Sequence, residues 1–174
     1  VVVCAIAGMC IALYIHKKKK DQEKPKLICP RKFKCDEVIT SKYSTLFGVK
    51  FEKQKSFSLW HPDTTLYAVK SPAGEIISYF ALDLYPREGK YGHAAAFGII
   101  GGRQAAFVSD TYVVPFATMV TNFTKQSAKN PSLLSHGEVE TFFHEFGHIM
   151  HFTLTTARYA SQSGYHTAWD FVEA

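Results

Sequence analysis

Apolar and polar positions follow three different rhythms along the chain, and each predicts a different kind of element. The first fifteen residues (VVVCAIAGMCIALYI) are uninterrupted by charge, and His16-Lys17-Lys18-Lys19-Lys20 comes directly after them. The run is shorter than the ~20 residues that cross a bilayer, yet Tyr14 and the lysine cluster have the form of a stop-transfer end. Residues 1–15 are therefore expected to be a partial transmembrane segment, an anchor that leaves the rest of the chain cytoplasmic. A signal-peptide core fits less well, because its charges precede the apolar run. Residues 16–42 are basic, carry Pro25 and Pro30, and show neither helical nor strand periodicity, the pattern of a linker. Its lysines are expected to be solvated, with anionic lipid headgroups as a secondary partner.

From Tyr43 onward, short runs rich in β-branched and aromatic residues alternate with turn signals. Residues 66–70 predict a strand, Ser71-Pro72-Ala73-Gly74 a tight turn, and residues 75–85 (EIISYFALDLY) the returning strand of a hairpin. Pro86-Arg87-Glu88-Gly89-Lys90 ends it. Residues 94–100, Gly101-Gly102 and residues 103–108 predict a second hairpin. Residues 112–123 predict one more strand, with Pro115 marking an edge or a bulge. Five such strands in succession predict a small, mostly antiparallel sheet.

The rhythm then changes to a helical one. Ser135 stands three residues before Glu138, an S-x-x-E capping box, so a helix is expected from about His136 to about Thr155. Val139, Phe142, Phe143, Phe146, Ile149 and Met150 supply its apolar positions. A loop at Ser161-Gln162-Ser163-Gly164 separates it from a second helical stretch that begins near His166 or Thr167. The fold class is thus α+β, a sheet followed by two helices.

Composition changes this picture in two places. The net charge of +5 over 174 residues is unevenly placed: residues 1–55 hold 13 Lys/Arg and 5 Asp/Glu, residues 56–174 hold 7 and 10. The basic character belongs to the front, so the pI of 9.0 is no sign of nucleic-acid binding. All four cysteines (Cys4, Cys10, Cys29, Cys35) lie in the first 35 residues, which excludes a Cys-rich structural zinc site in the helical part.

The chemistry is concentrated in the first helix. His144-Glu145-Phe146-Gly147-His148 is an H-E-x-x-H, which places two imidazoles on one helix face where both reach one cation, ideally zinc. Glu145, one residue along, is placed to act on a bound water. A third ligand must come from elsewhere. Helical rotation turns His151 away from the centre of the His144/His148 face, which makes it a packing residue or one that supports the ligands from behind, and His166, Asp170 and Glu173 remain open on spacing alone. Glu140 is expected to be solvated. Asp170 is either an acceptor for a ligand imidazole or a helix-surface charge, and His93 is expected to be an ordinary loop histidine.

Several long stretches resemble the thimet oligopeptidase/neurolysin family of zinc metallopeptidases, peptidase family M3. They are residues 82–98 (LDLYPREGKYGHAAAFG), Asn122-Phe123-Thr124-Lys125, Pro131-Ser132-Leu133-Leu134, residues 138–148 (EVETFFHEFGH) and Asp170-Phe171-Val172-Glu173-Ala174. The resemblance covers roughly residues 43–174 and implies part of a larger, mainly α-helical catalytic domain. It implies Glu173, 25 residues after His148, as the third ligand of a single zinc ion with His144 and His148, and Glu145 as the catalytic carboxylate. It also implies short peptides as substrates and oxyanion-stabilising Tyr and His groups beyond this stretch. Gly164-Tyr165-His166 departs from the usual Gly-Thr, which bears on loop geometry and substrate preference. The chain opens on Val1 and stops in a helical stretch, so it is expected to be a piece that is inactive alone. The competing expectation is a membrane-anchored, catalytically dead peptidase-like module that only binds.

Overall fold

The structure, a computed structural model, describes residues 35–105, 111–125 and 134–173. The apolar run at residues 1–15 and most of the basic stretch lie outside them. Among the described residues no helix is long and apolar enough to cross a membrane.

Helix α1 (Cys35–Phe47) comes first, overlapping the expected linker. Its Val38-Ile39-Thr40 run has weak helix preference, so local sequence hides it. Packing supplies what propensity lacks: buried Tyr43 sets its ring 4.8 Å from Phe146, edge on. Strand β1 (Lys50–Gln54) is also unexpected, since KFEKQ has one apolar side chain. It pairs antiparallel with β2 (Thr65–Lys70), and Phe51 meets Phe80 at 5.7 Å.

The hairpin of β2 and β3 (Ile76–Asp83) forms as expected. Gly74, at φ 92°, sits in the left-handed region that closes such a turn without a Cβ clash, and its N–H reaches Ser71 C=O at 2.9 Å. The second expected hairpin does not form. Strand β4 (Ala95–Ile100) pairs instead with β7 (Phe116–Val120), while β5 (Arg103–Gln104) pairs with β6 (Tyr112–Val113) in a separate two-stranded ribbon. Gly102 is buried where a Cβ would lie 2.6 Å from the Tyr112 hydroxyl, so the chain turns away at the glycine pair.

The five-stranded sheet has the order β1-β2-β3-β7-β4, and β3 and β7 run parallel. It is mixed. Residues 112–123 do not form one edge strand: Pro115 separates β6 from β7, and β7 lies inside the sheet with Ala117 through Val120 buried. Standing just before β7, Pro115 costs no ladder hydrogen bond, and its C=O accepts from Tyr79 N–H at 2.9 Å.

Helix α2 (His136–Thr153) crosses one face of this sheet. Phe142, Phe146, Ile149 and Met150 bury against Tyr67, Phe80 and Met119, and the Phe80 and Phe146 rings meet edge to face at 5.3 Å. A 3₁₀ turn (Ala160–Gln162) comes next, and then one turn of helix, α3 (Trp169–Val172), which starts later and is shorter than the pattern suggests.

Candidate metal centre

The capping box at the start of α2 is complete: Ser135 Oγ accepts from Glu138 N–H at 3.3 Å, and Glu138 Oε2 accepts from Ser135 N–H at 2.7 Å. This start holds the helix in register, and Phe142, Phe146 and Ile149 clamp its apolar stripe to the sheet. The histidines are left on the flank. His148 Nε2 and His144 Nε2 lie 3.1 Å apart.

One turn of α3 brings Glu173 to the same point. Its Oε2 is 3.3 Å from His144 Nε2 and 3.5 Å from His148 Nε2. Each pair sits near ~3.3 Å, the edge of a tetrahedron with ~2.0–2.2 Å metal–ligand bonds. The donor set fits a cation held by two imidazoles and a carboxylate. Among the described residues, His144, His148 and Glu173 form the group whose ligand atoms lie within 4.8 Å of one another. His151, His166 and Asp170 are not in it.

The electrostatics favour the metal-binding form of His148. Burial, and then the neighbouring His144, lower the pKa of His148 and keep its imidazole neutral. His148 Nδ1 is buried without a hydrogen-bond partner among the described residues. Glu145 lies beside the group, buried, and burial raises its pKa against the opposing pull of His144 and of the Ala96 backbone that it faces. This contact ties Glu145 to the outward edge of β4.

The other candidates fall elsewhere. Glu140 is exposed, with His136 Nδ1 at 3.4 Å, and Asp170 is exposed at the start of α3. His93 is exposed in the loop before β4, its ring 5.7 Å from Tyr91.

Sequence reasoning misses what holds that loop. Asp83, at the end of β3, is buried and accepts two hydrogen bonds from Arg87, at 2.7 and 2.8 Å, and one from Trp60 Nε1 at 2.9 Å. Lys90, with 2% of its side chain exposed, reaches Asp83 Oδ1 at 2.9 Å. It also donates to the carbonyls of Asp83, Tyr85 and Thr121. Burial alone would raise the Asp83 pKa, but these donors outweigh it and hold the carboxyl well below the usual range. The cluster fastens the ends of β3 and β7 to the loop that delivers β4. Its signal is the spacing of Asp83, Arg87 and Lys90 across a turn, a spacing that does not say which residues face inward. Tyr165, marked in the sequence only as part of a departure from Gly-Thr, sets its hydroxyl 3.4 Å from Ala96 C=O.

Comparisons with known proteins place the chain among peptidases. The chain is similar to the thimet-like oligopeptidase of Dictyostelium discoideum, with 43% identity over 133 residues, covering 75% of this chain and 20% of that protein. Saccharolysin of Saccharomyces cerevisiae is 40% identical over 144 residues, covering 76% and 19%. Oligopeptidase A of Escherichia coli is 35% identical over 129 residues, covering 74% and 19%. The chain thus spans about a fifth of the length of these relatives. The family model for peptidase family M3 matches residues 12–174, further toward the amino end than the quoted motifs reach. With nearly its whole length matched by that model, the chain belongs to peptidase family M3.

Proposed function

We propose that this chain carries the metal site of a zinc metalloendopeptidase that hydrolyses peptide bonds in short peptides. The observation behind this reading is the convergence of His144, His148 and Glu173 beside Glu145, in a chain of a peptidase family. His144 Nε2, His148 Nε2 and a Glu173 oxygen would hold the ion, one per chain. Bound zinc lowers the pKa of water toward ~7 and polarises a carbonyl.

The rest of the chemistry belongs to the chain. Glu145 takes the proton of the attacking water and returns it to the leaving amine, a role worth about 10²–10⁴-fold. Its place against Ala96 puts the carboxylate beside the open edge of the sheet, since β4 is the last strand in the order. An extended peptide pairing with that edge would lay its backbone next to Glu145 without demanding a particular sequence.

The test uses the full-length protein. Zinc should be found at one equivalent by atomic spectroscopy, and a quenched fluorescent peptide should be cleaved. Glu145→Gln should keep the zinc and lose at least about 100-fold in kcat. A full-length protein that binds no zinc and cuts nothing sinks the reading in favour of a binding module.

A further inference from the structure

An added strand uses the N–H and C=O groups that the edge strand points outward, and these belong to alternate residues. On β4 the outward residues are identified by what they meet. The Ala96 backbone faces the Glu145 carboxylate, and Ala96 C=O accepts from the Tyr165 hydroxyl at 3.4 Å. Two residues on, the Gly98 backbone faces the same phenol oxygen. One side chain therefore spans the outward groups of two successive ladder positions, as a residue of a neighbouring strand would.

The loop that carries Tyr165 is built to lie this close. A Cβ on Gly98 would run into the Phe152 ring, and so would a Cβ on Gly164, which has a φ of 64°. Phe152 is thus held between β4 and the loop by two residues without side chains. The Tyr165 ring packs on Phe152 at 4.8 Å, and the His148 ring stands 6.3 Å from it at 78°. The ring is fixed by packing, while the hydroxyl makes only a long hydrogen bond, which an incoming backbone can exchange.

We propose that Tyr165 is a specificity-determining residue of this site, its hydroxyl capping the outward edge of β4 at Ala96 and Gly98, so that a peptide must displace it to pair there. This rests on the peptidase reading above. The cap raises the KM of peptides that pair along this edge and leaves the chemical step alone, because it is made before substrate binds and is gone once the peptide is seated.

The experiment compares full-length wild type with Tyr165→Phe, which keeps the ring on Phe152 and deletes the hydroxyl. The probe is an eight-residue quenched fluorescent peptide, and amide hydrogen exchange at Gly98 is followed without peptide. The expected result is a KM about fivefold lower with kcat unchanged, the worth of one ordinary hydrogen bond, and faster Gly98 exchange. An unchanged or higher KM, or a kcat that falls with it, overturns the cap. A wild-type protein that binds and cleaves no peptide overturns the peptidase reading and the cap with it.

Discussion

Two clusters of charged side chains in this molecule are built in opposite ways. Around Asp83 every polar group is answered: the carboxylate takes hydrogen bonds from Arg87 and Trp60 and pairs with the Lys90 ammonium, whose three N–H groups go to carbonyls. Around His144, His148 and Glu173 the polar atoms face one another at 3.1–3.5 Å, on a half-open flank. Two imidazole nitrogens and a carboxylate oxygen crowd together without a saturating set of donors. The first cluster has no capacity left for a ligand and can only hold structure. The second points its lone pairs at a shared centre, which is what a cation requires.

The comparison is broken most strongly at Asp83. Asp83→Asn leaves Lys90 buried and positive without its counter-charge, and should cost about 3–5 kcal/mol of unfolding free energy by urea titration of the full-length protein. The zinc content of the folded fraction should stay the same. The loss should depend on pH with a definite sign. The Asp83 pKa is depressed in the folded state, so its contribution is present above the unfolded value of about 4 and is lost as pH falls below it. Wild type and Asp83→Asn should therefore draw together in stability progressively as pH falls from about 5 toward the depressed folded value. Parallel curves would mean that the carboxylate is not what the cluster depends on.

Between the two extremes lies the cap of α2. Ser135→Ala removes the acceptor for Glu138 N–H at an exposed helix end and should lower stability by about 1 kcal/mol, read as a shift in urea midpoint at constant slope. The smallest effect on folding is expected at the second cluster. Glu173→Gln should change metal-free stability by less than about 0.5 kcal/mol, because it breaks no saturated network. Yet it should release zinc on dialysis against a weak chelator. A large loss of metal-free stability in Glu173→Gln would mean that the two clusters are not different in kind.

What can be read without a structure is what neighbours in the chain decide among themselves. The S-x-x-E box at Ser135, the helical spacing of His144 and His148, and the Pro72–Gly74 turn all act over a few residues, and each appears in the structure. Glu173 comes only from family resemblance. No local rule chooses it over His166 or Asp170, since the meeting of α3 with α2 depends on how the chain between them packs.

The sheet order is likewise beyond the sequence. Residues 95–100 are as able to pair with 103–108 as with β7, and no local periodicity distinguishes the two. Burial decides: β7, with Ala117 through Val120 buried, takes the interior place between β3 and β4. That choice leaves β4 at the edge, with Glu145 against Ala96 and Tyr165 spanning Ala96 and Gly98. By itself the sequence determined the helix that carries His144 and His148 and where it starts. Only the tertiary structure determined which strand edge that helix faces and what already occupies it, because strand partners are selected by burial across long separations.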